Sequence, residues 1–360
     1  MTLDDDLSMF QIIASDNLAR IGELETKHGL LKTPALFPVH NLGTEGGWNT
    51  PRYWERYPFI NTAMFNASFL SMNRGGHLGT ILQIGVQRFI RFFGISFADS
   101  GGFIYKKYKL TLKPERILEI QEKMGADIAS TLDYPIQCKP ISENTNVTRT
   151  IKNAKLALSL RRDPKLLLFA SINGYDPVVL RNAVKNLKRA GDFDGFAIGS
   201  LMPRYTNYRL LVDFILAVKL EARETPIHVY GLGSPLVTHL LMFLGVDSFD
   251  SSYFVVASGN RIYSIPGYGR TEFKDLHESD SPPCQCPVCQ KHSLSELRIS
   301  RELLTLHNLW TLWNEIDQTK TAIRERRLEE HLSYRFRNAK WAKKAFEYAK
   351  HRIQYRFSGG

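Results

Sequence analysis

Along the chain, short apolar runs of strand character alternate with longer stretches of helical period. The runs are ALFPV (35–39), FINTAMF (59–65), ISFA (95–98), DIASTL (127–132), LLLFASI (166–172), GFAIG (195–199), IHVYG (227–231) and VDSF (246–249). Runs of this length and composition, bounded by turn residues, read as buried strands. Between them lie segments such as TILQIGVQRFIRFF (80–93) and PERILEIQEKM (114–124). In the second, Pro114 suits a first helical turn and Gly125 a stop. Eight strand–helix repeats over about 250 residues predict an α/β fold of the (β/α)8 TIM-barrel type. An open dinucleotide-binding sheet is disfavoured, because no G-x-G-x-x-G follows the first run. The chain shows neither an internal repeat nor a low-complexity tract.

Barrels of this kind gather their chemistry where strands end at the C-terminal side. Asp99 closes the third run, Asp133 follows the fourth, Asn173 the fifth, Gly199 and Ser200 the sixth, and Asp250 the eighth. Each carboxylate follows an apolar segment instead of lying in an acidic loop. Asp247 is different: alternating with Phe249, it suits a solvated or salt-bridged role. Carboxylates on one rim permit general acid/base work, or nucleophilic attack by one while another handles a proton. Phe103, after the glycine pair of DSGGF, and Tyr230, in HVYGLG, could flank one flat ligand or serve as ordinary core aromatics.

Composition narrows the setting. With 43% hydrophobic and 23% charged residues over 360 positions, a large globular core is expected. No uncharged apolar stretch of about 18 residues occurs, and the start, MTLDDDLSMF, is acidic where a signal peptide is basic. The expectation is a soluble, cytoplasmic protein without a membrane span. A net charge of +11 favours a polyanionic partner. Of four cysteines, Cys284, Cys286 and Cys289 cluster as C-x-C-x-x-C, the mark of a metal site rather than a disulfide framework, while Cys138 stands alone. Three thiolates on a tetrahedral Zn2+ need a fourth ligand. His292 is the histidine nearest in sequence, and His307, in LLTLHNLW, lies on a long helical segment.

From Lys320 to Phe357 the chain carries twelve Lys/Arg against four Glu, with Tyr334, Phe336, Trp341, Phe346, Tyr348, Tyr355 and Phe357 interleaved. Such a segment either contacts phosphates and bases or docks as an amphipathic helix with a solvated basic face, and the two can coexist.

Taken together, TPALFPV, FNASFL with Asn66, DSGGF, IQEKMGADIASTLDYP, FAIGS, YGLGSP followed by LGVDSFDSS, and the CxCxxC with a later HN resemble the tRNA-guanine transglycosylases over roughly residues 20 to 320. IGSLMP, LDYP and FDSS look closest to the archaeal branch. The resemblance implies a barrel that exchanges a guanine in a polynucleotide for a 7-deazaguanine. It makes Asp250 the nucleophile and Asp99 the acid/base. Asp133, with Asn173, Gly199 and Ser200, would read the purine edge, Phe103 and Tyr230 would stack on its faces, and Asn66 would support the carboxylates. His307 matches the family's fourth ligand to one structural Zn2+. Ile104 stands where the family usually has glutamine, and Asn173 where bacterial members have a longer amide, so the 7-substituent stays open.

The corresponding organisation is a catalytic barrel (1–275), a zinc-binding subdomain (276–319) and a basic, aromatic helical tail (320–360). Archaeal tRNA-modifying members carry long C-terminal extensions ending in a PUA domain, and this sequence stops short of one. Archaeal-like motifs, short length and a basic tail point to DNA as the polymer, as in the branch that places 7-deazaguanines in DNA; tRNA is the alternative. A noncatalytic nucleic-acid-binding subunit is a further alternative, against which the presence of both Asp99 and Asp250 speaks. A homodimer or a helper protein is compatible with any of these readings.

Overall fold

The computed structural model describes residues 10–42, 50–72, 76–103, 111–136, 140–202, 206–277 and 282–357; Cys138 and Ile104 lie outside them. The chain opens with three antiparallel strands, β1 (Phe10–Asp16), β2 (Ala19–Thr26) and β3 (Gly29–Thr33). Eight parallel strands follow: β4 (Ala35–Pro38), β5 (Thr62–Asn66), β6 (Ile95–Asp99), β7 (Ile128–Ser130), β8 (Leu167–Ile172), β9 (Gly195–Ile198), β10 (Ile227–Val229) and β11 (Ser248–Ser251). Their order, β4-β11-β10-β9-β8-β7-β6-β5, places β4 and β5 at the two ends of the sheet. A parallel bridge between Val39 and Met64 joins those ends, with the His40 N–H donating to the Met64 carbonyl at 2.9 Å. The sheet is therefore a closed eight-stranded barrel wrapped by helices, as the strand–helix alternation predicts.

Side chains alternate between the two faces of each strand, and the alternation sorts the apolar residues into two layers. Ala35, Phe37, Met64, Ile95, Phe97, Ile128, Leu167, Phe169 and Ala197 fill the lumen. Leu36, Phe65, Ala98, Leu168, Phe196 and Phe249 point outward into the layer beneath the helices. Phe10, Leu24 and Leu31 of the antiparallel sheet join the lumen cluster, so that sheet plugs the N-terminal mouth of the barrel. These three strands are absent from the pattern of continuous apolar runs, because their exposed faces interrupt it.

Two other features depart from the sequence expectation. The segment 80–93 is two short helices, Leu78–Ile84 and Val86–Ile90, because Gly85 adopts φ +85° between them. Asp247 takes the salt-bridged of its two expected roles, and only its burial departs from the pattern: it accepts a bidentate pair of bonds from Arg20 at 2.7 Å each, tying β2 to the start of β11. By contrast, the helix Pro114–Lys123 begins and stops as expected, with Gly125 at φ +77° beyond its end.

After β11 come the hairpin β12 (Ile262–Ile265) and β13 (Gly269–Glu272), then helices Leu294–Ile299, Arg301–Arg324, Leu328–Arg335 and Lys340–Phe357. One apolar layer runs without a break from the barrel helices through Cys284, Cys286 and Cys289 to Phe336, Phe346 and Ala349. Phe346 packs edge-on to Phe243 at 4.9 Å, and Tyr348 donates to Asp213 at 2.8 Å. Within the tail, the last helix, Lys340–Phe357, is thus docked on the barrel helices. No helix among the described residues is long and apolar enough to cross a membrane.

Candidate active site and metal centre

The same two-residue alternation that fills the lumen carries its inward face up to the C-terminal mouth. On β5 the series Met64–Asn66, on β6 Phe97–Asp99 and on β11 Ser248–Asp250 place Asn66, Asp99 and Asp250 on that inner face. Asp250 lies inside its strand, not after it, because β11 begins two residues later than the apolar run VDSF. Asn66 and Asp99 are register partners, and the Asn66 Nδ2 donates to Asp99 Oδ2 at 2.7 Å. The Asn66 Oδ1 accepts from the Phe69 N–H at 3.0 Å, capping the helix Ala67–Ser71 and fixing the amide's orientation.

Burial, with the charges of Asp133 and Asp250 behind it, raises the Asp99 carboxyl to about 7, against the bonds donated by Gly101 and Asn66. A buried carboxyl beside negative neighbours resists ionisation, which leaves Asp99 poised between acid and carboxylate near neutral pH. Burial also raises Asp133, opposed by the Asn173 Nδ2, which donates to Asp133 Oδ2 at 3.0 Å. Asn173 continues the chain: its Oδ1 accepts from Ser200 Oγ at 3.0 Å, and Ser200 Oγ accepts from the Ile136 N–H at 2.8 Å. Ser200 sits at φ +62°, in the left-handed region.

Glycines give this wall its shape. A Cβ on Gly102 would lie 1.9 Å from Asp133 Oδ1, and one on Gly199 would lie 2.4 Å from Asn173 Oδ1. Gly101 holds φ +84°, and a Cβ there would strike Ser68 and Asn66. The glycine pair of DSGGF therefore brings backbone against the polar wall, which no larger residue permits.

Phe103 and Tyr230 differ in exposure. Phe103 is 68% exposed at the mouth, which removes the core-aromatic reading for it. Tyr230 is half-buried, edge-on to Phe97 at 6.3 Å, and burial pushes its phenol well above the usual range. Asp250 accepts from the Gly231 N–H at 2.8 Å, on Oδ1. Beneath it the structure adds a residue that the sequence pattern does not single out: His228, with Nε2 3.4 Å from Asp250 Oδ1. The signal is available in principle, since His228 precedes Tyr230 by two and shares its inward face.

At the other end of the apolar layer, ligand atoms of Cys284, Cys286, Cys289 and His307 all lie within 4.8 Å of one another. His307 Nδ1 is 3.4 Å from Cys286 Sγ and 3.3 Å from Cys289 Sγ. Its Nε2 faces the Ser264 carbonyl at 2.9 Å, so Nε2 carries the proton and Nδ1 presents its lone pair to the thiolates. Tyr263 stacks on the His307 ring at 3.9 Å and reaches Cys289 Sγ at 3.2 Å. His292 is turned away, its Nδ1 3.1 Å from Glu296 Oε1 at the start of the next helix. Four soft and borderline donors converging at this spacing suit a closed tetrahedral metal such as zinc.

A closed parallel barrel with carboxylates at its C-terminal mouth, joined to a helical appendage that carries a cluster of three cysteines and a histidine, defines a (β/α)8 protein with a candidate metal centre. Residues 15–340 match the family described as Queuine tRNA-ribosyltransferase, and the chain belongs to that family. Among its relatives, a tRNA-guanine(15) transglycosylase of Methanococcus aeolicus is 30% identical over 345 residues, covering 91% of this chain and 52% of its own length. A tRNA-guanine(15) transglycosylase of Pyrococcus furiosus is 32% identical over 340 residues, covering 90% and 56%. The enzyme of the same name from Methanosarcina mazei is 29% identical over 341 residues, covering 92% and 67%. The chain spans about half the length of the first two of these relatives.

Proposed function

We propose that the chain exchanges a guanine base in tRNA for a 7-deazaguanine through a covalent ester between Asp250 and C1′ of the sugar. The observation that carries this reading is the meeting of Asp99, Asp133 and Asp250 at one barrel mouth, where the charges of Asp133 and Asp250 bear on Asp99. Asp250 attacks C1′ as the C1′–N9 bond of guanine breaks, through an oxocarbenium-like state of the kind that retaining glycosidases use. Asp99, near neutrality in its titration, gives the departing base its proton and takes one from the incoming base. That base then attacks C1′ and releases Asp250. Two displacements leave the sugar configuration unchanged.

Asp133, Asn173, Gly199 and Ser200 read the purine edge, and Phe103 and Tyr230 cover its faces. Asn66 orients Asp99. A base at this depth must leave its stack to arrive. Cys284, Cys286, Cys289 and His307 hold one structural Zn2+, whose four protein ligands leave no open coordination for catalysis.

Of the two polymers, tRNA is the better supported, because the three archaeal relatives are named for it and none of the three is named for DNA. The test is exchange of radiolabelled guanine into unmodified tRNA and into duplex DNA, side by side. Label entering tRNA supports this reading. Label entering DNA alone returns the polymer to the branch expected from the tail and motifs, and label in neither removes the transglycosylase reading.

A further inference from the structure

Below the mouth, His228 on β10 and Ser248 on β11 are register partners, and both point into the lumen one step beneath Tyr230 and Asp250. The imidazole is fully buried among aromatic rings: Phe97 at 4.5 Å, Tyr230 at 4.8 Å and Phe37 at 6.3 Å. Its two nitrogens meet different partners. Nδ1 is 2.9 Å from Ser248 Oγ, and Nε2 is 3.4 Å from Asp250 Oδ1.

We infer that His228 is a positioning residue for the nucleophile: a neutral imidazole that, with the Gly231 N–H, pins Asp250 Oδ1 and leaves Oδ2 to form the sugar ester. The inference rests on the reading of Asp250 as nucleophile. A carboxylate only accepts, so the contact requires a proton on Nε2. The Ser248 hydroxyl can donate to Nδ1, which completes a neutral tautomer with both nitrogens satisfied. Among the described residues, both donors to Asp250 fall on Oδ1.

Neutrality follows from the chemistry as well as from the surroundings. Ester formation removes the charge of Asp250, and an imidazolium paired with it would then be stranded in an aromatic slot with no anion. A neutral ring loses one weak hydrogen bond instead. Burial lowers the basicity of His228 against the pull of Asp250, in the same direction. The titratable groups facing the ring are Asp250, through Oδ1, and Tyr230, through its ring edge.

The experiment compares His228→Phe, His228→Gln and Ser248→Ala in guanine exchange into tRNA, with thermal melting of each protein. His228→Phe keeps an aromatic body and removes both polar interactions; it should lower kcat by about 10- to 100-fold with KM for guanine nearly unchanged, as for a displaced reacting group. His228→Gln places an amide N–H near the position of Nε2 and should recover most of kcat with an unshifted pH profile. Ser248→Ala frees the tautomer and should lower kcat several-fold.

Wild-type kcat in a folded His228→Phe overturns the proposal, as does wild-type kcat in Ser248→Ala should the Phe variant not fold. A pH limb that moves in His228→Gln also overturns it, since the ring would then titrate during turnover. Failure of the underlying reading looks different: Asp250→Asn would retain its covalent adduct whatever happens at position 228.

Discussion

Asn66 and Asp99 stand opposite each other across the β5–β6 pair, joined by an Nδ2–Oδ2 bond of 2.7 Å, and the same amide caps the helix that leaves β5. The donated bond favours the ionised carboxylate, whereas burial and the neighbouring Asp133 and Asp250 favour the acid. The acid wins, up to about 7. Removing the donor in Asn66→Ala should move the Asp99 limb of the pH–rate profile to higher pH. Loss of the cap should cost about 1 kcal/mol of stability. A limb that stays in place or moves to lower pH in the variant rules out Asn66 as the group that tunes Asp99.

The raised Asp99 also has a sign for stability. Its folded value lies above the ordinary carboxylate value of 3.8, so the folded state binds the proton more tightly than the unfolded one. The stability so gained is full below that ordinary value and is lost as pH rises toward 7. Asp99→Asn should therefore abolish exchange yet raise Tm at pH 8 relative to wild type, with little gain at pH 4. Melting curves at both pH values check this, and equal shifts at the two would contradict it.

Asp250→Asn should end base exchange while leaving tRNA binding and melting nearly intact, because an amide of similar volume cannot form the sugar ester. Denaturing gels with labelled tRNA show the adduct directly. An adduct of undiminished intensity in the variant would exclude Asp250 as nucleophile.

Gly199→Ala puts a methyl 2.4 Å from Asn173 Oδ1, inside the polar wall, without touching the lumen core. KM for guanine should rise about tenfold or more as Asn173 and Asp133 are displaced, with Tm lowered by the overpacking but a cooperative melting curve retained. Steady-state kinetics at varied guanine measures it, and an unchanged KM would take the base away from this wall.

Stoichiometric zinc should be found by elemental analysis, lost in Cys286→Ser and His307→Ala and kept in His292→Ala. Its removal should lower Tm, because the cluster sits in the apolar layer that joins the barrel to the last helices. Full zinc in His307→Ala would reassign the fourth ligand.

Deleting the tail from Lys340 would strip Phe346, Ala349 and Ile353 from the core, at a cost of several kcal/mol. Truncation therefore cannot isolate an interaction with phosphate. The outward face, with Lys343, Lys344 and Tyr355 exposed, is the place to ask. Lys343→Glu with Lys344→Glu should leave Tm nearly unchanged, weaken tRNA binding and flatten its salt slope by about 0.7–0.9 for each phosphate that is no longer neutralised. An unchanged slope would leave the tail as packing alone.

The strand and helix alternation was legible because barrel strands are buried on both faces and read as continuous apolar runs; all eight runs overlap barrel strands. The trio Cys284, Cys286 and Cys289 was legible from spacing, and Asp99 and Asp250 from their place at strand ends. The choice of His307 over His292 came from the family resemblance and not from spacing, since His307 lies eighteen positions beyond the Cys289 onto which it folds back. Nor was the salt-bridge partner of Asp247 legible, since Arg20 lies 227 residues away. His228 looked like any strand residue until register set it under Asp250. Local sequence determines period, turn and spacing, because those depend on neighbours along the chain. Which oxygen meets which donor, and which carboxylates share one mouth, depend on barrel closure and register between distant strands, and only the tertiary structure decides them.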